Sequence, residues 1–151
     1  MRNLFFGSSL LVGILLTGCG DTAKYSKLAE ELNNSQTHNN KEIEAVGTIE
    51  VPTGLFAMEE GEKQKVLMSV SAGYEKIKNI ELDYGKDKKN SMFVDIPKDQ
   101  EEFEGKDFKL YDKNGKLIKR SNVRIKGTVK YGKDGDADEY VIQNVQIEQA
   151  E

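Results

Sequence analysis

The chain has 151 residues, 22 basic and 26 acidic side chains, a net charge of −4, one cysteine and one histidine. A single cysteine excludes an internal disulfide framework and a cysteine-based zinc site, and a single histidine excludes a multi-histidine metal centre. The acidic balance argues against generic nucleic-acid affinity, which needs a basic surface, and a 37% hydrophobic content with only 2 prolines argues against full disorder.

Met1-Arg2-Asn3 is a short positive start, and Leu4 to Leu16 is almost wholly apolar or small, with Leu10, Leu11, Val12, Ile14, Leu15 and Leu16 at its heart. A run of about 13 residues is too short to span the roughly 30 Å of a bilayer's hydrocarbon core, but it has the length of a signal-peptide core. It ends in Leu16-Thr17-Gly18-Cys19. These four residues resemble the bacterial lipobox. The resemblance implies a diacylglyceryl group on the Cys19 thiol and cleavage between Gly18 and Cys19 by a lipoprotein signal peptidase. The new amino terminus can then be acylated as well. Two or three acyl chains hold a protein stably on a bilayer, whereas one binds only marginally. Removal of residues 1–18 takes away one charge, Arg2, and leaves 21 basic against 26 acidic residues. Gly20, not Asp, follows Cys19. In a host with two membranes this departs from the inner-membrane retention signal, so delivery to the outer membrane, facing the periplasm, is expected. In a host with one membrane, the destination is the outer face of the plasma membrane.

Residues 19–42 read as a lipidated tether with one short helix. Tyr25, Leu28, Ala29 and Leu32 fall at helical spacing, with Asp21 or Thr22 as N-cap. Asn33 to Asn40 has linker composition, and His38 within it reads as solvated polar filler. A flexible tether of this length would reach about 25 Å root-mean-square from the membrane.

From Lys41 the pattern changes to period two. Ile43, Ala45, Ile49 and Val51 share one face, and Val66, Met68, Val70 and Ala72 another. Ile80, Leu82 and Tyr84 alternate with polar neighbours, and Met92, Val94 and Ile96 stop at Pro97. Asp99 to Glu104 suits one helical turn, and Phe108 to Ile118 reads as a hairpin through Asn114-Gly115, a pair that tolerates positive φ at both central positions. Val123 to Tyr131 and Tyr140 to Glu148 supply the last strands. Short strands separated by turns predict an all-β domain. Two of them carry an interior glycine, Gly47 and Gly127, which permits the strong bend of a small closed barrel.

Val46-Gly47-Thr48-Ile49 as a first strand, Val123 to Val129 as a fourth and Tyr140 to Ile147 as a fifth resemble the small secreted OB-fold domains related to the tRNA-anticodon-binding type. The resemblance covers residues 43–148 and implies a five-stranded Greek-key barrel. The region 97–121 departs from it, with a hairpin where a helix is usual between the third and fourth strands. A β-sandwich is the alternative architecture.

An OB barrel binds ligands across its second and third strands and the nearby loops. Tyr84, Lys86, Lys88, Lys89 and Phe93 have the residue types for stacking bases and contacting phosphate. Asp83 and Asp87 are interleaved, however, and from Lys41 onward there are 19 basic and 23 acidic residues. A solvated charged hairpin with core aromatics is therefore expected, with no nucleic-acid partner. Asp134, Asp136 and Asp138 place carboxylates at alternate positions, a pattern that can converge on calcium. Glu139 and Val145 stand where an EF-hand loop needs its glycine and its final bidentate glutamate, so an acidic hairpin tip is the preferred reading. No catalytic constellation stands out, and no cofactor is implied. Pairs such as Glu59-Glu60 and Glu101-Glu102, and the runs Lys86 to Lys89 and Lys106 to Lys109, read as solvated surface. The expectation is a lipid-anchored, non-enzymatic envelope lipoprotein whose barrel binds a partner protein or an envelope component such as a glycan. The alternatives are a ligand- or calcium-binding regulatory lipoprotein and an enzyme built on an acid pair.

Overall fold

A computed structural model describes residues 19–51, 59–70, 75–96, 104–132 and 139–151. The expected signal segment 1–18, the helical turn expected over 99–104 (Glu104 apart) and the acidic residues Asp134, Asp136 and Asp138 lie outside the described residues.

Helix α1 spans Cys19–Asn34, and eight strands follow: β1 Glu42–Ile49, β2 Lys63–Ser69, β3 Lys76–Tyr84, β4 Ser91–Val94, β5 Phe108–Tyr111, β6 Leu117–Ile118, β7 Val123–Tyr131 and β8 Tyr140–Gln149. Strands β1, β2, β3, β8 and β7 form a closed ring, because β2 pairs with β3 as well as with β1. Every pairing in the ring is antiparallel except β3 with β8, where Ile80 faces Ile142 in parallel. This is a closed five-stranded OB-like barrel and not a sandwich. Strands β4, β5 and β6 lie outside the ring as an arm continuing from β3, with β4 parallel to β3 through Asp83–Ser91 and Tyr84–Met92.

The period-two pattern places Ile43, Ala45, Ile49, Val66, Met68, Ile77, Ile80, Leu82, Val123, Ile125, Val129, Ile142 and Ile147 in one buried core. Closure depends on the two interior glycines. A Cβ on Gly47 would lie 2.3 Å from the Ser69 carbonyl oxygen and 2.8 Å from Met68 Cγ, and one on Gly127 would lie 2.7 Å from Ile142 Cγ2. The Ser69 backbone at Gly47 and the Ile142 side chain at Gly127 lie closer than a Cβ permits.

Two bulges sharpen the curvature. Between β2 and β3 the register slips from Val66–Ile80 to Met68–Ile77, which puts an extra residue on β3, and Asn79 there has φ 52°. Between β7 and β8 it slips from Lys126–Gln146 to Thr128–Gln143, with Asn144 at φ 53°. All six described non-glycine residues with positive φ are Asn or Asp, whose short polar side chains tolerate this region best.

The 112–116 turn differs from the expected two-residue form. Gly115 has φ 81° and Asn114 is not in the positive-φ region. Gly115 N–H donates to the Asp112 carbonyl, and Asp112 N–H to the Lys116 carbonyl, so three residues make the loop. The Asp112 carboxylate fixes it by accepting from the Asn114 and Lys116 amides.

The largest departure from the sequence reading concerns residues 19–42. They do not form chain free of the barrel. α1 is 16 residues long, and Tyr25, Ala29 and Leu32 belong to the same core as the strands. The helix begins before Asp21 and Thr22, so neither is its cap; Asp21 lies in its first turn, where a carboxylate suits the positive end of the helix dipole. At the other end the Asn33 side-chain amide bonds the carbonyls of Ala29 and Lys76, tying helix to β3. Asn34 and Ser35 satisfy the Glu30 and Glu31 carbonyls.

Candidate functional site

A concavity lies beside the first two turns of α1. It encloses about 550 Å³ between Asp21, Thr22 and Tyr25 on the helix, Val46 to Thr48 on β1, the end of β2 at Ser69 and Val70, and Asn122, Arg124 and Ala150. The sequence dictates this meeting. Gly47 lets β1 bend against the end of β2, and Asn122, with φ 55°, turns the chain into β7 while its side-chain amide donates to the Ala150 carbonyl. Cys19, the expected lipidation point, lies in the helix that forms one wall, two residues before Asp21.

Arg124 borders this cleft and joins a charged network on the outer faces of β1, β7 and β8. Its Nη1 donates to Glu148 Oε1 at 3.2 Å, and its Nε lies 3.3 Å from Glu44 Oε1 without pointing at it, which leaves that buried N–H without a hydrogen-bond acceptor. Lys126 Nζ sits 3.2 Å from Glu44 Oε2, and Lys113 Nζ bonds Glu148 Oε2 at 2.5 Å. The register explains the network: Glu44 faces Lys126 and Arg124 faces Glu148 across antiparallel pairs. The Lys113 ammonium, and then the Arg124 guanidinium, hold the Glu148 carboxyl below its usual range.

The outer face of β2 and β3, where an OB barrel is expected to bind, carries mixed charge. Lys63 lies 3.4 Å from Glu81 and 3.9 Å from Asp83. Lys76 bonds Glu50, which also accepts from the Ser69 hydroxyl, and these two bonds, the serine's first, pull the Glu50 carboxyl down.

The aromatic–basic group does not form a stacking platform. Tyr84 is buried, and its ring packs against Phe93 at 5.3 Å between centroids. Lys86 and Lys88 point to Asp95 and Glu60 at 4.0 and 3.9 Å. Of the paired acids, Glu59 and Glu60 are exposed, and Glu101 and Glu102 lie outside the described residues. Gly18 and the calcium candidates Asp134, Asp136 and Asp138 do so as well. Among the described residues no group of three or more His, Cys, Asp or Glu side chains could hold a metal ion. Nor is any described helix long and apolar enough to cross a membrane.

His38 is not solvated filler. Its Nε2 lies 2.8 Å from Glu31 Oε2, pinning the chain after α1 back onto the helix, and this bond holds the Glu31 carboxyl below its usual range. Composition made 33–40 look like linker, because the residues that organise it lie on other elements.

Two tyrosines also escaped the sequence reading. Tyr131 Oη lies 2.9 Å from the Leu32 carbonyl oxygen and 2.5 Å from that of Ser35, so its one proton serves the end of α1. Tyr140, 5.9 Å away between ring centroids, accepts from the Lys78 amide at the β3 bulge. Burial is the main cause that pushes the Tyr140 phenol up to about 12. Their positions at strand ends were visible, but not the bulge and helix they serve.

No protein-family model matches the chain, and neither the curated proteins nor the solved structures contain a match to it.

Proposed function

We propose that this chain is an envelope lipoprotein, cut between Gly18 and Cys19 and anchored through lipid on Cys19, that presents a small barrel to a partner protein or an envelope component without catalysing a reaction. The observation that carries the reading is the apolar run from Leu4 ending in Leu16-Thr17-Gly18-Cys19. The barrel's first strand begins at Glu42, so a cut before Cys19 would spare every strand.

A non-catalytic role is supported by how the polar groups are engaged. The one imidazole is held by Glu31, and the carboxylates Glu44, Glu50 and Glu148 are held by cations. Such pairs set a charge pattern on a rigid sheet, which suits recognition by complementarity. The β2–β3 face, with Lys63, Lys65 and Lys78 beside Glu81 and Asp83, is the proposed contact surface. The partner's own surface would carry both signs of charge.

Mass spectrometry of the membrane-extracted protein tests the anchor. The expected amino-terminal fragment begins at Cys19 with a diacylglyceryl mass, and Cys19→Ser releases the domain from the membrane. An unmodified fragment that retains residues 1–18 would refute it. Crosslinking in intact cells from Lys65 and Lys78 tests the binding role; recovery of no specific protein or glycan would count against it.

A further inference from the structure

The position of the anchor relative to the core fixes how the barrel meets the bilayer. Cys19 lies in α1, and Tyr25 on the same helix lies in the core. Six residues of helix rise about 9 Å, so little chain separates the lipid-bearing residue from the body of the domain. Asp21, Thr22 and Tyr25 border a cleft with Gly47, Thr48, Ser69, Val70, Asn122 and Ala150. That end of the barrel therefore lies next to the point of attachment. The opposite end is marked by Tyr131, where β7 finishes, and by Glu139, just before β8. The nine residues of β7 run from Val123 to Tyr131, a distance of about 26 Å at the usual strand rise.

We infer that the lipidated protein lies with the Gly47–Ser69–Asn122–Ala150 end of its barrel apposed to the lipid headgroup surface. The Tyr131–Glu139 end points away from the bilayer, and the barrel does not swing on a tether. The inference rests on the proposed lipidation of Cys19 and adds an orientation to it. The partner surface is headgroups and not acyl chains. The large apolar side chains exposed among the described residues are Ile96 and Leu117, and neither borders this cleft. Asp21, Arg124 and Glu151 do border it, and such charges stay in the hydrated layer.

Cys19 is the only cysteine in the chain, so once it is lipidated an introduced cysteine is a unique labelling site. Glu151→Cys and Glu139→Cys, each carrying a fluorophore, are placed as intact lipidated protein in phosphatidylethanolamine–phosphatidylglycerol vesicles containing a lipid with a spin-labelled headgroup. The expected result is several-fold stronger quenching at position 151 than at 139. Insertion of a flexible Gly/Ser segment after Gly20 should abolish the difference. Equal quenching at both positions without the insertion, in protein whose mass shows the acyl group on Cys19, would overturn the orientation while leaving the anchor intact. Protein that lacks the acyl mass would overturn the anchor reading, and the mass tells the two failures apart.

Discussion

Two additions to the five-stranded ring, helix α1 and the β4–β5–β6 arm, are held to it by different forces. The arm is attached largely through bonds to backbone groups: Gly85 N–H to the Met92 carbonyl, Lys113 N–H to that of Ile147 on β8, and Ile147 N–H to the Asn90 side-chain oxygen. The buried Ser91 hydroxyl closes the turn between β3 and β4 by bonding to the Gly85 and Lys88 carbonyls, and Met92 and Leu110 add apolar burial. α1 is held mainly by the burial of Tyr25, Ala29 and Leu32, with few polar ties at its carboxyl end. A set of backbone bonds tolerates the loss of one exposed side chain, whereas a three-residue apolar contact does not tolerate the loss of a buried one. Isolated helices of this length are marginal in water, so α1 depends on that contact.

Changes at the ring itself should have the largest effect. Gly47→Val forces a side chain into the Ser69 backbone, and the clash is with main chain that cannot swing aside. We expect a loss of about 3–5 kcal/mol or failure to fold, read by chemical denaturation. A variant within 1 kcal/mol of the parent would show that the β1–β2 approach is slack.

Next comes the contact that distinguishes α1 from the arm. Leu32 is 1% exposed, and Leu32→Ala should cost about 2–5 kcal/mol. Hydrogen exchange should rise across 19–34 before it rises in β7. Uniform loss of protection would mean that helix and ring unfold as one unit.

Tyr140→Phe is expected to cost about 1–3 kcal/mol, because the Lys78 amide at the bulge loses its acceptor. The phenol's folded pKa is raised to about 12 from an unfolded value near 10. Its protonated form is therefore favoured by folding. That contribution is complete below about pH 10 and is lost as pH rises toward 12, an alkaline loss of roughly 2–3 kcal/mol. The Phe variant should lack this part of the alkaline decline. In acid the sign reverses for Glu31, Glu50 and Glu148, whose carboxyls are held low by their partners. Their contribution is present above the usual carboxylate range and is lost as pH falls below that range through their lowered folded values.

The smallest effect belongs to the arm's edge. Leu117 is 54% exposed on a two-residue strand, and Leu117→Thr should change stability by no more than about 0.5 kcal/mol. A larger loss would show that the arm, like α1, depends on apolar contact.

The ring was legible in the sequence because alternation is a local signal. Ile43, Ala45 and Ile49 each announce a buried face, and Gly47 and Gly127 announce close approaches, without knowledge of partners. The β5–β6 hairpin was legible for the same reason. The role of α1 was not, because Tyr25, Ala29 and Leu32 make a short apolar stripe that suits a free amphipathic segment as well as a core helix. Only the surface that the closed strands offer, β3 among them, decides between them, and that surface is a product of tertiary closure. His38 and Glu31 were missed for a related reason, since their pairing depends on the chain turning back through Asn40, at φ 59°. Of the candidate site, the sequence supplied the proposed anchor residue, Cys19; the cleft beside it comes from five separate segments and has no linear signature.

Helix α1 packs into the barrel core through Tyr25, Ala29 and Leu32 and is not a tether. Amide hydrogen exchange on the domain beginning at Cys19 puts this to the sharpest test. The amides around Ala29 and Leu32 should exchange at rates within about tenfold of those in β7. Exchange of these amides at the speed of unstructured chain, while β7 stays protected, would contradict it.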